Sequence, residues 1–75
     1  MKFLVNTKRG YEDGIRALGS EHNHIYTYVN FKNLKKYALN KYPCLKNWYM
    51  IEIWNNPDNF FKEPDQVIYN PDYID

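Results

Sequence analysis

The single cysteine of this short chain, Cys44, is the feature that most restricts its fold. One cysteine cannot form an intramolecular disulfide, and it cannot supply the several thiolates of the usual structural zinc sites. A domain of 75 residues buries only about 60% of the surface that its unfolded chain exposes, so its stability must be marginal or reinforced, and disulfides cannot reinforce it. The chain has eight tyrosines, four phenylalanines and two tryptophans. We therefore expect a core built largely from aromatic side chains. The single cysteine also fits a protein of a reducing compartment.

The periodicity of the apolar residues predicts strands and helices in alternation. The predicted elements are a strand at Lys2–Asn6, a helix from Tyr11 to Leu18, a strand at His24–Val29, a helix at Phe31–Tyr42, a strand at Trp48–Trp54 and a last short strand at Gln66–Tyr69. This order predicts an α+β fold, a small mixed sheet of three to four strands with two helices, arranged β-α-β-α-β-β. Residues 1–75 are expected to form one domain, with 55–75 a looser, acidic and aromatic C-terminal segment.

The helix at Phe31–Tyr42 carries the clearest signals. Asn30 is a favourable N-cap residue before it, and Pro43 ends it. Its predicted apolar stripe consists of Phe31, Leu34, Ala38 and Tyr42.

Both faces of the Trp48–Trp54 strand are largely apolar, which predicts a central place in the sheet. Glu52 is the exception in this strand. A carboxylate buried there would be a candidate acid or base, but we expect Glu52 to face outward on a half-exposed sheet.

Charge is sorted along the sequence although the net charge is only +1. Between His22 and Ile51 there are five lysines and no acid, whereas from Glu52 onward six acids accompany one lysine. The lysines form a candidate nucleic-acid face, with Tyr26 and Tyr28 as possible stacking platforms: Lys32, Lys35, Lys36, Lys41 and Lys46. Arginine is absent from this region, which favours a merely solvated helix face.

The acidic segment combines carboxylates with aromatic anchors, a pattern that fits the basic groove of a nucleic-acid-binding protein. The candidate partner-binding residues are Asp58, Phe61, Glu63, Asp65, Tyr69, Asp72, Tyr73 and Asp75. Surplus tyrosine and tryptophan also point to a partner or a homodimer, so monomer and homodimer both stay open. Acids near a terminus also increase solubility, and this interpretation stays open too.

Catalytic and metal-binding signals are weak. His22 and His24 lie two residues apart and would share one face of a strand, yet no third ligand accompanies them. Phosphate-binding loops and nucleophile motifs are missing. We therefore expect no catalytic residues, no metal and no cofactor. No apolar run is long enough to span a bilayer, and polar residues interrupt the apolar start at Asn6, so we expect a cytoplasmic protein without membrane contact.

Two resemblances bear on function. The strand Phe3–Thr7, together with His24–Thr27 and Tyr49–Ile53, resembles a shortened ADP-ribosyltransferase, which implies an NAD-binding domain. Val5 stands where that family has an NAD-contacting residue, and Gln66 stands where it has the catalytic glutamate. Both departures argue against activity and imply a degenerate domain.

The abundance of Asn, Lys, Tyr, Ile and Phe indicates a low-GC genome. Together with the small size, it resembles the anti-CRISPR-like anti-defence proteins of phages and mobile elements. We therefore predict a non-enzymatic protein-binding inhibitor of a host protein or ribonucleoprotein that handles nucleic acid, such as a CRISPR effector. The alternatives are a small nucleic-acid-binding protein that uses the lysine-rich helix and a degenerate NAD-binding domain.

Overall fold

The computed structural model describes residues 1–13 and 23–75. Four strands form one sheet: β1 (Lys2–Asn6), β2 (Asn23–Thr27), β3 (Met50–Trp54) and β4 (Gln66–Tyr69). Two helices accompany it, α1 (Lys8–Asp13) and α2 (Phe31–Leu34), and α2 continues as a π-helical turn at Lys35–Leu39. Short 3-10 turns lie at Pro43–Leu45 and Pro57–Asn59. The predicted α+β class and the order of elements are confirmed, but the part of the first predicted helix beyond Asp13 lies outside the described residues.

The sheet has the strand order β2-β1-β3-β4, and every neighbouring pair is antiparallel. The expectation of a mixed sheet was therefore wrong in this detail. Helix α2 connects β2 to β3, which run in the same direction, but β1 lies between them. The insertion of β1 replaces one parallel pair by two antiparallel pairs.

Helix α2 begins as predicted, and it ends differently. The Asn30 side chain accepts a hydrogen bond of 2.8 Å from the Asn33 backbone N–H, so the N-cap is confirmed. The π-helical turn then changes the register of the apolar stripe. Leu39 is 3% exposed in the core, whereas Tyr42, predicted to be on the stripe, is 42% exposed.

One face of the sheet packs against this helix and forms the main core. The buried side chains there come from β1 and β3, from the helix and from the segment before β3: Phe3, Val5, Leu34, Ala38, Leu39, Leu45, Trp48, Ile51 and Ile53. Phe31 extends the aromatic part of this core with its ring centroid 6.4 Å from that of Phe3. The predicted central position of β3 is confirmed, because all its residues are buried.

The opposite face of β3 corrects the expectation for Glu52. Register places Glu52 between Leu4 of β1 and Val67 of β4. Glu52 is 5% exposed, not outward on a half-exposed face. Side chains alternate between the two faces of a strand, so Glu52 is buried on the face opposite the core residues Ile51 and Ile53.

The segment after β3 is built into the sheet. Strand β4 pairs with β3 along its length, and the chain end is held by two hydrogen bonds with Asn47. The Asn47 side chain donates to the Ile74 carbonyl over 2.7 Å and accepts from the Ile74 N–H over 3.0 Å. Among the described residues, no helix is long and apolar enough to cross a membrane.

Candidate protein-binding surface

Four tyrosines from three separate segments meet beside the start of β3. Tyr11 comes from α1, Tyr49 precedes β3, and one C-terminal segment contributes both Tyr69, which ends β4, and Tyr73. The ring centroid of Tyr49 lies 4.8 Å from that of Tyr11, 5.7 Å from that of Tyr69 and 5.2 Å from that of Tyr73. We call these four residues the tyrosine patch. Tyr69 is 54% and Tyr11 42% exposed, whereas Tyr49 and Tyr73 are half-buried.

A lysine from α1 packs over the central ring of the tyrosine patch. The Lys8 ammonium lies 4.1 Å from the ring centroid of Tyr49 and 5.9 Å from that of Tyr11. Its interaction with the Tyr49 hydroxyl is the main cause that raises the pKa of Lys8 above its usual value. Lys8 also forms an ion pair of 3.7 Å with Glu12, one helical turn onward.

The phenol groups interact with one another and with the chain end. The pKa of Tyr69 is raised, chiefly by its charge interaction with Tyr11 and then by desolvation. Desolvation, followed by a hydrogen bond with Asp75, raises the pKa of Tyr73. The tyrosine patch is therefore a surface of rings with hydroxyls at their edges, and a lysine and a carboxylate lie close to it.

A second aromatic cluster lies at the other end of β3. Phe60 and Phe61 pack on the Trp54 indole, with ring centroids 5.0 and 6.4 Å away, and the Lys2 ammonium lies 4.9 Å from the Phe60 ring. Phe61 has a positive φ of 69°, and its side chain is 43% exposed. Because the five residues from Met50 to Trp54 separate the clusters by roughly 16 Å, the acidic segment presents two surfaces rather than one.

The predicted partner-binding residues divide between these two ends. Those near Phe60 and Trp54 are Asp58, Phe61, Glu63 and Asp65, and those that follow toward or beyond the tyrosine patch are Tyr69, Asp72, Tyr73 and Asp75. All five carboxylates are exposed. Asp65 also has a structural contact, since its carboxylate accepts a hydrogen bond of 2.7 Å from the Asn55 N–H and closes the loop between β3 and β4.

The lysines of the alternative face are all exposed, as expected, but they do not form one surface with a single environment. Lys36 lies 5.3 Å from the Tyr37 ring and Lys41 lies 5.7 Å from the Tyr42 ring. Lys35 and Lys46 instead line a cavity that also includes the acidic residue Asp72. Lys32 lies in the first turn of α2.

A ladder of parallel rings runs along β2 toward the basic helix. His24, Tyr26, Tyr28 and Tyr37 stack in that order, with successive centroids 6.3, 6.0 and 6.1 Å apart. Most of this ladder is half-buried, and Tyr37 at its end is 49% exposed. Because the rings stack on one another, the ring with a face accessible to solvent is that of Tyr37, beside Lys36.

Sequence reasoning missed Lys8, Tyr11 and Tyr49 as members of the site. The sequence pattern places Tyr11 at the start of the first predicted helix and Tyr49 within the predicted strand Trp48–Trp54. Only the pairing of β1, β3 and β4 brings these residues to Tyr69. Surplus tyrosine was the one signal in the sequence that indicated such a cluster.

Residues named for other sites lie elsewhere. Val5 is fully buried in the core, the Thr7 hydroxyl accepts a hydrogen bond from the Gly10 N–H in α1, and Gln66 is exposed on β4. In residues 1–13 and 23–75, His, Cys, Asp and Glu side chains form no group of three or more that could hold a metal ion. His22 is not among these residues.

Comparison with known proteins gives no relative. No protein-family model matches the sequence, no curated protein is detectably similar to it, and no solved structure matches the fold.

Proposed function

We propose that this protein is a non-enzymatic binding module that docks on another protein through the tyrosine patch and inhibits it. The observation that carries the proposal is the exposure of Tyr11 and Tyr69 around the ring of Tyr49, with Lys8 over that ring. Tyrosine supplies a large and rigid contact area at a small entropic cost, and it is enriched among residues that dominate binding energy. Hydroxyls at the ring edges add directional hydrogen bonds.

The proposed partner is a protein or ribonucleoprotein of the host that handles nucleic acid, such as a CRISPR effector. Asp75 contributes to the raised pKa of Tyr73, which places its carboxylate next to the tyrosine patch. A carboxylate beside exposed rings complements a basic groove in which phosphates otherwise bind. The low-GC composition and small size support an origin in a phage or mobile element.

The test is target cleavage by a panel of purified CRISPR effector complexes from low-GC bacteria, measured with and without the protein. We expect the protein to inhibit at least one complex and Tyr69→Ala to raise the half-inhibitory concentration at least tenfold. Tyr42→Ala is the matched control, because Tyr42 is exposed to a similar extent and lies outside the tyrosine patch. Inhibition that both variants weaken equally would contradict the role of the patch, and no inhibition of any complex would contradict the partner class.

Charge is tested separately by an isosteric change. Asp75→Asn retains a hydrogen-bonding side chain and removes the charge, so we expect weaker inhibition at low salt and a smaller effect at high salt. Asp58→Asn, at the other end of β3, is expected to leave inhibition unchanged. An equal effect of the two substitutions would show that only the net charge of the protein matters.

The ring ladder favours a second candidate function, the binding of single-stranded nucleic acid. Tyr37 is open at the end of the ladder with the Lys36 ammonium above it, which combines a stacking surface with a phosphate contact. Fluorescence anisotropy with a labelled single-stranded oligonucleotide tests it. If the protein has this function, its affinity for the oligonucleotide decreases steeply as the salt concentration rises. Lys36→Gln also lowers this affinity, whereas Tyr69→Ala leaves it unchanged.

A further inference from the structure

A cavity of about 430 Å³ lies between the second helix and the end of the sheet, and no member of the tyrosine patch lines it. Its volume is within the range of small-ligand sites, roughly 300 to 1,000 Å³. The apolar part of its wall comes from the second helix, the segment before β3, β4 and the turn that follows β4, and it consists of Phe31, Leu39, Trp48, Ile68 and Pro71. Trp48 and Leu39 are almost fully buried and belong to the main core, so this wall is firmly held.

The opposite wall is held by a chain of hydrogen bonds. The Asn70 side chain donates to the Trp48 carbonyl over 2.9 Å and accepts from the Asp72 N–H over 3.0 Å. Asn70 and Asp72 both line the cavity. The turn that closes this side is therefore fixed to the core before any ligand binds, which lowers the entropic cost of binding.

Two lysines give the cavity its charge. Lys35 comes from the helix and Lys46 from the loop before Trp48, and both ammonium groups are exposed. Within the described part of the chain, neither of them forms an ion pair. Against the single carboxylate of Asp72, these two lysines leave a net positive charge at the cavity. These two positive charges would attract an anionic group to the cavity.

We propose that this cavity binds a small ligand that carries a planar ring and a phosphate group, in the class of nucleoside monophosphates. The ring is received by the apolar wall around Phe31 and Trp48. The phosphate is received by Lys35 and Lys46, which act as flexible point charges. This site is independent of the proposed protein-binding function, since it shares no residue with the tyrosine patch.

The test is a titration with adenosine monophosphate, followed through the two tryptophan indole N–H signals in proton–nitrogen NMR spectra. Trp48 lines the cavity, whereas the Trp54 indole N–H donates to the Lys62 carbonyl at the other end of β3 and serves as an internal reference. We expect a saturable shift of the Trp48 signal and none of the Trp54 signal. Equal shifts of both signals, or no saturable shift, would overturn the proposal.

Ligand and protein variants test each half of the site. Adenosine and inorganic phosphate, each added alone, are expected to bind at least tenfold more weakly than the monophosphate.

The double variant Lys35→Gln with Lys46→Gln is expected to weaken binding of the monophosphate at least tenfold, while Lys36→Gln, next to Lys35 but outside the cavity, leaves this binding unchanged. The proposal would be overturned if phosphate alone bound as tightly as the monophosphate, or if Lys36→Gln weakened binding as much as the double variant does. It would also be overturned if a single-stranded oligonucleotide bound more tightly than the monophosphate and this binding depended on Lys36. Tyr69→Ala is expected to retain full monophosphate binding.

Discussion

At the residue scale, several polar side chains form hydrogen bonds to the backbone that could not be predicted from the charged or polar segments of sequence in which they lie. Asp65 is one of five exposed carboxylates after β3, yet it alone among them closes the β3–β4 loop by accepting from the Asn55 N–H. Asn70 and Asn47 similarly fix the tail to the segment before β3. Side chains of equal charge in this segment are therefore expected to differ in their contribution to stability.

We predict that Asp65→Ala lowers the free energy of unfolding by about 1 kcal/mol, because a charge-assisted hydrogen bond to the backbone is lost. Asp58→Ala is the matched control, and its effect is expected to stay below about 0.5 kcal/mol. Urea unfolding followed by circular dichroism measures both. An equal loss for the two variants would show that the Asp65 contact adds nothing beyond charge.

Ionisation at the tyrosine patch gives a second prediction at this scale. The pKa values of Lys8, Tyr69 and Tyr73 are all raised in the folded chain, so folding favours their protonated forms. Their contribution to stability is complete below the unfolded pKa values, about 10, and is lost as pH rises through the folded values. We expect the urea midpoint to fall above about pH 10. The double variant Tyr69→Phe with Tyr73→Phe should lose less stability over the same interval, and an identical loss would contradict the assignment.

At the element scale, the second helix shows both what periodicity predicts and where it fails. Asn30 and the first turns behave as the pattern indicates, because capping and the spacing of Phe31 and Leu34 are local properties. The π-helical turn adds a residue to one turn and rotates everything that follows. Leu39 thereby takes the buried position that a regular helix gives to Tyr42.

We predict that Leu39→Ala costs about 2 to 4 kcal/mol of unfolding free energy, as a cavity-forming change in a core does. Tyr42→Ala is expected to cost less than about 0.5 kcal/mol, since its side chain is exposed. A regular α-helical stripe predicts the reverse order. Thermal and urea unfolding of the two variants would therefore distinguish the two registers directly.

The strands were predictable to a similar degree. Alternation identified the first three strands, because strand periodicity is visible within five residues, and the apolar faces of Trp48–Trp54 indicated a central strand. The fourth, Gln66–Tyr69, was predicted as a short strand before Pro71. Neighbour relations were not predictable, since they depend on contacts far apart in sequence. The place of β1 between β2 and β3 makes every neighbouring pair in the sheet antiparallel, and no local pattern in these strands encodes that order.

At the scale of the whole molecule, folding changes the charge pattern of the sequence. Lys2 and Lys8, from the first elements, lie over Phe60 and Tyr49 and bring positive charge to the aromatic clusters near the acidic segment. Lys35 and Lys46 share a cavity with Asp72. The two charged halves of the sequence are therefore not two opposite surfaces of the protein, and the candidate site is defined by exposed tyrosines more than by acids.

The candidate site was predictable only in part for the same reason. Tyr69, Tyr73 and Asp75 were identified from the mixture of acids and rings in the tail, a local property of the sequence. Tyr11 and Tyr49 became members through α1 and the β3–β4 pairing. A site assembled from three segments leaves no motif in any one of them.

Site-specific photocrosslinking in a low-GC bacterial host tests the central claim most directly. A benzophenone amino acid replaces Tyr69 in one variant and Tyr42 in the other, and the crosslinked products are resolved after nuclease treatment. The tyrosine patch predicts a discrete protein adduct, identified by mass spectrometry as a nucleic-acid-handling protein, from position 69 and none from position 42. Equal adducts from both positions, or no adduct from position 69, would contradict it.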